Sequence, residues 1–373
     1  MRSRAAILWE TGQPWSVEDV ELDPPHAHEV MVRMVASGLC HSDDHARTGD
    51  MPVQLPVVGG HEGSGIVEDV GSAVTTLAPG DHVVTSYIPS CGRCHACATG
   101  HQNICDQGRF VTTGEMIDGG GRRVHARGQE ISTMALLGTF GSHLVAHEAS
   151  LVKIDPDIPL DLAALVSCGV TTGWGSAVYV GEVKPGETVV VVGVGGLGAA
   201  AVQGARMAGA DQIIAVDPVA FKRETALKLG ATHAVASMED AQQLVSELNR
   251  GRLADVAILT VGVARGEMIA PFMGLVDKNG RGVITAVAPH DERTVQLPLM
   301  EFTLWQKQLR GNTFGGANPR ADIPRLLKLY RHGHLDLATM ATARYPLEEL
   351  NRGYEDMLAG RNIRGLILHD AAG

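Results

Sequence analysis

At 373 residues the chain exceeds the usual size of one domain, and 45% hydrophobic with 20% charged residues describes an ordinary globular composition. A formal net charge of −11 excludes sequence-independent nucleic-acid binding, which needs a basic face. The opening MRSRAAILWE lacks the pattern of a secretory leader, and the longest apolar run is too short and glycine-broken to span a bilayer. A cytoplasmic location with no membrane partner is therefore expected, and in that compartment six cysteines read as thiols or metal ligands before disulfides.

Taken in order, Ala5 to Val20 predicts two short strands around a turn at Gly12–Pro14, and Glu29 to Ser37 alternates as a third. Cys40-His41-Ser42-Asp43-Asp44-His45 follows, polar and dense in side chains that bind metals. Gly60-His61-Glu62, a strand over Ile66–Val70 and a turn and strand over Gly80–Val84 continue the run. Short strands separated by glycine turns predict a barrel-like all-β domain. Cys91, Cys94, Cys97 and Cys105 then crowd one segment. A redox CxxC needs only two of these thiols, whereas four at this spacing predict a closed tetrahedral zinc site. Gly108 to Gly138 reads as a long loop carrying short strands, and Phe140 to His147 as a strand. From Leu160 one helix is expected to run through Ser167-Cys168-Gly169 to Gly173.

The stretch from Thr188 to Asp217 has a different logic. Val189 to Val192 is apolar without alternation, as a strand buried on both faces should be. Gly193, Gly195, Gly196 and Gly198 form a turn, a small-residue helix runs over Ala199–Met207, and a second apolar strand, Gln212–Val216, ends at Asp217. Gly193 permits the tight turn, Gly195 lets the backbone approach a pyrophosphate at the helix N-terminus, and Gly198 lets helix and strand pack closely. An acid in the position of Asp217 accepts from a ribose 2′-hydroxyl and repels a 2′-phosphate, which favours NAD over NADP. Helices and strands then alternate to Val287, predicting a doubly wound parallel α/β sheet. A helix over Leu299–Gln308 and an edge strand over Leu309–Thr313 close the pattern. Helices over Ile323–Arg331 and Leu347–Ala359 and a strand over Gly365–His369 lie outside it.

Cys40 and Cys168 remain after the four-cysteine segment, and with His61 they make the Cys₂His set of a zinc whose fourth position is open. Taken together, Cys40-His41-Ser42-Asp43, Gly60-His61-Glu62, the four cysteines, Ser167-Cys168-Gly169, Gly193 to Gly198 and Arg364 resemble the zinc-dependent alcohol dehydrogenases of the medium-chain dehydrogenase/reductase superfamily over essentially the whole length. The resemblance implies a GroES-like catalytic domain over residues 1–169 and 314–373, a Rossmann coenzyme domain over 170–313, and an active site in the cleft between. It implies two zinc ions per chain, one on Cys40, His61 and Cys168 with Glu62 close behind. Asp43 would orient the His61 imidazole. Thr172 and Leu197 would border the nicotinamide of NAD, His41 and Arg364 would face its pyrophosphate, and Lys222 would lie near the adenosine ribose. Reversible oxidation of an alcohol to an aldehyde or ketone is implied, with zinc polarising the substrate oxygen.

A relay through Ser42 and the nicotinamide ribose to His45, with His45 nearer solvent, would carry the proton away. A homo-oligomer, dimer or tetramer, is also implied. His41 and Met51 depart from the family pattern; Met51 speaks against a glutathione cosubstrate. The FGGANP stretch at 314–319 is similar to actinobacterial enzymes that hold coenzyme tightly and use an external electron acceptor. Tyr87, Met51 and Leu136 are expected to line an apolar substrate pocket. Two other readings stand beside this one: a dehydrogenase of S-hydroxymethyl thiol adducts, and a zinc-stabilised binding protein without turnover.

Overall fold

Short apolar runs build a series of strands through the chain's first half. The computed structural model describes residues 1–117 and 120–369. The strands of the first half are β1 (Arg2–Leu8), β2 (Ser16–Leu22), β3 (Glu29–Gly38), β4 (Val57–Val58), β5 (Gly63–Val70), β6 (His82–Thr85), β7 (Val124–Ala126), β8 (Gln129–Thr133), β9 (His143–His147) and β10 (Leu151–Lys153). The second half supplies β11 (Thr188–Val192), β12 (Gln212–Val216), β13 (His233–Val235), β14 (Ala254–Leu259), β15 (Val276–Ile284), β16 (Gln308–Gly311), β17 (Ala341–Pro346) and β18 (Arg364–Leu368). Contacts divide the chain into two units, one of Met1–Cys168, Asn318–Gly333 and Ala341–Gly373, the other of Gly169–Ala317 and His334–Met340.

In the first unit β1, β2, β7, β8 and β4 close into a barrel, and a 7-stranded sheet runs β10-β6-β5-β3-β18-β17 with β9 also on β3. Ile7, Val20, Leu22, Val58, Val124 and Ile131 fill the barrel core. The stretch expected as a long loop carrying short strands over 108–138 supplies two short barrel strands, in which Val124, Ala126 and Ile131 point inward while Gln129 and Glu130 stay exposed. Residues 118 and 119 of that stretch lie outside the described residues. The helix expected from Leu160 to Gly173 is broken: Leu160–Ala163 is helical, Ala164–Ser167 tightens to a 3₁₀ turn, and Cys168 leaves the helix at φ −147° and ψ −70°. Ser167 causes part of this, since its Oγ donates to the Ala164 carbonyl (2.7 Å) and accepts from the Gly63 N–H (3.1 Å).

The end of β18 carries a buried histidine with a legible tautomer. The Ser37 hydroxyl donates to the Thr139 carbonyl (2.5 Å), so at 2.9 Å it can only accept from His369 Nε2. His369 Nδ1 is then the bare nitrogen, and it has no partner among the described residues. Burial, with a smaller push from the His143 charge, lowers the His369 pKa to about 4 from 6.5. A depressed histidine stabilises the fold above the unfolded value and loses that contribution as pH falls through the folded one. About 3 kcal/mol should vanish between pH 6.5 and 4. His369→Gln, which cannot charge, is expected to shift the acid-unfolding midpoint to lower pH when unfolding is followed by circular dichroism. An unmoved midpoint would show that another group governs acid unfolding.

The second unit is a 6-stranded sheet in the order β13-β12-β11-β14-β15-β16, with every pair parallel. Val189, Val190 and Val191 are fully buried, as a strand covered on both faces requires. The strands end in register: Val192 faces Val216 and Leu259, Leu259 faces Ile284, and Ile284 faces Gly311. Asp217, Gly193, Thr260, Thr285 and Asn312 therefore form a row, one residue past each strand, along the carboxyl edge where open parallel sheets bind ligands. Among the described residues no single helix is long and apolar enough to cross a membrane.

Candidate active site

The four-cysteine segment folds around its own sulfurs. Sγ of Cys91 lies 4.0 Å from that of Cys97, and Sγ of Cys94 lies 3.8 Å from that of Cys105. These are too long for disulfides, whose sulfurs bond at about 2 Å. They match the edge of a sulfur tetrahedron around zinc at about 2.3 Å, which is roughly 3.8 Å. Backbone N–H groups of Cys94, Cys97 and Asp106 point at the sulfurs of Cys91 and Cys94. Although burial works the other way, the N–H groups of Asp106 and Cys97 bring the Cys94 thiol down to about 7. The donor set and its spacing fit a structural zinc.

A second cluster gathers Cys40, His61, Glu62 and Cys168, whose ligand atoms all lie within 4.8 Å of one another, every residue buried. Cys40 sits at the end of β3 as the residue before helix His41–Thr48, and His61 follows a positive-φ glycine, Gly60 (φ 87°). Asp43, fully buried on that helix, accepts from the Gly60 N–H (3.0 Å) and meets His61 Nδ1 (3.1 Å). With Nδ1–H on the carboxylate, Nε2 is the nitrogen left for a metal. Hydrogen bonding from Cys168 holds Cys40 well below the usual thiol range, and the same bond, with burial, pushes Cys168 up. Burial opposes charge on His61, but Asp43 and Cys40 outweigh it and raise its pKa. Burial lifts Glu62 to about 8 against the pull of Arg364, whose guanidinium Nη2 meets Glu62 Oε2. Two soft thiolates and an imidazole fit zinc. Arg364, expected at a pyrophosphate, is buried and turned toward Glu62.

The helix beside this cluster positions the expected relay. Ser42 Oγ lies 3.6 Å from Cys40 Sγ, and His45 follows one helical turn on. His45 is not the solvent end: it is 3% exposed, and its Nδ1 meets Asp50 Oδ2 at 3.3 Å. The helix turns its Asp43, Asp44, His45 and Ala46 inward, and Gly49 in the left-handed region brings Asp50 back beneath His45. Asp50, with a side chain 31% exposed, is the group that reaches water, and no motif marks it in the sequence. Tyr87 sets its ring edge-on to His61, centroids 5.7 Å apart, and packs with Met51 on one apolar cluster. Leu136 packs in a different cluster, with Ile117 and Ala149.

In the second unit the glycine turn has the geometry its sequence suggested. Gly193 has φ 93°, and a side chain there would strike the Thr260–Val261 backbone. Nothing lies within 4 Å of where a Gly195 side chain would be, leaving the backbone open to a ligand, while one at Gly198 would collide with the Gly193 carbonyl. Gly196 starts the helix Gly196–Met207. Asp217, buried, uses Oδ2 to accept from the Val194 N–H (2.8 Å) and Oδ1 from Val219 N–H (2.9 Å), so it holds the turn as well as facing the edge. Thr260, unmarked by any motif, donates to the Gly193 carbonyl at 2.6 Å. Thr172 is buried, whereas Leu197 and Lys222, like His41 in the first unit, are half-buried.

Comparison with known proteins follows the same division. A family model described as the alcohol dehydrogenase GroES-like domain matches residues 26–156, and one described as zinc-binding dehydrogenase matches 196–331. The chain is 49% identical over 371 residues to an NDMA-dependent alcohol dehydrogenase of Amycolatopsis methanolica, with 100% of each covered. It is 48% identical over 368 residues to alcohol dehydrogenase B of Mycobacterium tuberculosis, with 98% of each covered. Among solved structures it is similar to benzyl alcohol dehydrogenase of Acinetobacter calcoaceticus, at TM-score 0.92 and 29% identity, covering 99% of this chain and 100% of that one.

Proposed function

The chain belongs to the zinc-binding alcohol dehydrogenases of the medium-chain dehydrogenase/reductase superfamily, and we propose that it oxidises an alcohol reversibly to an aldehyde or ketone with NAD as hydride acceptor. The observation that carries this reading is the convergence of Cys40, His61 and Cys168, with Asp43 fixing the His61 tautomer. Zinc on those three residues would supply a Lewis acid for the alcohol oxygen, and NAD would supply the carbon that accepts hydride. The row of Asp217 and Gly193 at the carboxyl edge, with Gly195 open, supports a dinucleotide whose ribose carries free hydroxyls.

What the chain's own side chains do follows from their placement. Asp43 keeps His61 Nδ1 protonated and the ring oriented, and the Glu62–Arg364 pair sets a buried charge behind the cluster. Ser42, beside Cys40, accepts the alcohol proton and releases its own toward His45, from which Asp50 connects to water. Ser42→Ala is expected to lower turnover by roughly 10²–10⁴-fold. His45→Gln should lower it less, because water reaches the Asp50 end. An undiminished Ser42→Ala enzyme would remove Ser42 from the proton path.

The NDMA dependence in the name of the Amycolatopsis relative supports an addition: NAD stays bound between turnovers and an external acceptor reoxidises it. The deciding experiment denatures purified protein and measures released NAD(H), then follows alcohol-dependent absorbance of the reduced coenzyme with NAD added. Failure to bind or reduce NAD under either condition would overturn the reading.

A further inference from the structure

We propose that Ser167 is a positioning residue for the metal, its hydroxyl locking together the two chain segments that carry Cys168 and His61. The proposal rests on the zinc reading above and concerns how that site keeps its shape. His61 and Glu62 run directly into β5, which begins with Gly63 and Ser64. Cys168 follows directly on Leu160–Ser167, a helical turn that tightens into a 3₁₀ turn. Hydroxyls fasten that segment to the start of β5 at both ends. Ser64 Oγ donates to the Leu160 carbonyl at 2.5 Å, and Ser167 Oγ accepts from the Gly63 N–H at 3.1 Å. Between the two links Leu162 to Val166 are apolar and buried. Apolar contacts are non-directional, so they hold the segment against the sheet without fixing where its last residue points. The Ser167 link, adjacent to Cys168 and just past Glu62, does fix it.

Ser167 is fully buried and spends its one hydrogen on the Ala164 carbonyl (2.7 Å), which leaves lone pairs for Gly63. Each bond has its own consequence. The Ala164 carbonyl is the acceptor that a continuing α-helix would give to the Cys168 N–H. With the hydroxyl on it, the segment closes as a 3₁₀ turn and Cys168 departs to φ −147° and ψ −70°, outside the helical and extended regions. The bond to Gly63 then sets that departure relative to β5. Gly63 has no room to give way. Its carbonyl accepts from Thr85 Oγ1 (3.2 Å), and a side chain on it would strike the end of Met34.

A sparsely populated backbone conformation persists where its surroundings over-determine it, and such residues collect at functional sites. Here the conformation belongs to a metal ligand. Zinc accepts sulfur at about 2.3 Å and imidazole nitrogen at about 2.0–2.1 Å, so the Cys168 and His61 segments must keep a set spacing. Ser167→Ala removes both bonds and supplies the residue that most favours helix. The Ala164 carbonyl becomes free for the Cys168 N–H, and the thiolate swings away with its backbone.

Zinc release into excess 4-(2-pyridylazo)resorcinol tests this without turnover, because the two ligand clusters should empty in two phases. The phase that Cys168→Ser lacks identifies the zinc of Cys40, His61 and Cys168. In Ser167→Ala that phase is expected to quicken roughly tenfold or more, with the four-cysteine phase unmoved. With cobalt in place of that zinc, the visible bands of Ser167→Ala should shift from those of wild type, whereas Ser167→Thr, which keeps the hydroxyl, should restore them. An unchanged release rate or an unshifted cobalt spectrum in Ser167→Ala overturns the proposal, and so does equal quickening of both phases, the mark of a general loosening. If Ser167→Ala does not fold, Ser167→Cys, similar in shape with a weaker hydrogen-bonding group, carries the same expectations. Wild-type protein that holds a single zinc overturns the three-ligand reading itself, a distinguishable result.

Discussion

Replacing Cys168 with Ser is expected to lower turnover at least roughly a thousandfold while leaving a folded protein. The loss corresponds to several kcal/mol of Lewis-acid stabilisation at the substrate oxygen. A serine hydroxyl stays protonated at neutral pH and is a poor replacement for a thiolate, so the Cys40–His61–Cys168 set would fall to two ligands. Its neighbour changes too, since the hydrogen bond from Cys168 is the main reason Cys40 titrates low. The fold has no corresponding need of the thiol: Cys168 ends a 3₁₀ turn already fixed by Ser167. Elemental analysis should therefore show zinc falling from two per chain, one for each ligand cluster, to one, with an unchanged circular-dichroism spectrum. Full activity with one zinc per chain would contradict the assignment.

Cys97→Ser should do the reverse. Cys97 is 5% exposed within a lobe whose small apolar cluster consists of Ile88 and the cysteines, with Tyr87 packed against it. So little apolar surface cannot hold this segment alone, and the metal must supply the rest. Zinc binding to small modules is worth roughly 10–16 kcal/mol, comparable to or larger than the total stability of most proteins. Loss of the ion should lower the melting temperature by roughly 10 °C or more and open residues 91–111 to limited proteolysis. Residual turnover per folded molecule should stay near wild type, because the lobe shares no ligand with Cys40, His61 and Cys168. A protease-resistant Cys97→Ser protein with an unchanged melting temperature would show that the lobe is held by its chain.

Much of this was legible from sequence because the decisive residues are close together in the chain. The turn from Gly193 to Gly198 and its acid share one βαβ unit, and the four cysteines share one segment, so spacing alone encodes their geometry. Cys40, His61 and Cys168 are far apart, and only their joint chemistry, with the family resemblance, linked them. What could not be read was set by distant partners. Ser37 and His369 meet across 332 residues. The break at Cys168 was hidden because Ala, Leu and Val around it are compatible with helix, while the Gly63 N–H that captures Ser167 lies 104 residues earlier. Asp50 looks like an ordinary loop polar residue until its neighbours are known.

β18 has a consequence for how the protein is made. It pairs with β3 and delivers Arg364 to Glu62, two partners synthesised some 300 residues earlier. A growing chain can complete the parallel sheet of the second unit while still nascent, since all six of its strands lie between Thr188 and Gly311. The first unit cannot. Until residues 364–368 emerge, Ser37 and Gly38 lack their partners in β18 and Glu62 lacks the Arg364 cation. The parallel sheet can therefore form before the strands of the metal-binding unit have all been made, and that unit waits for residues 364–368.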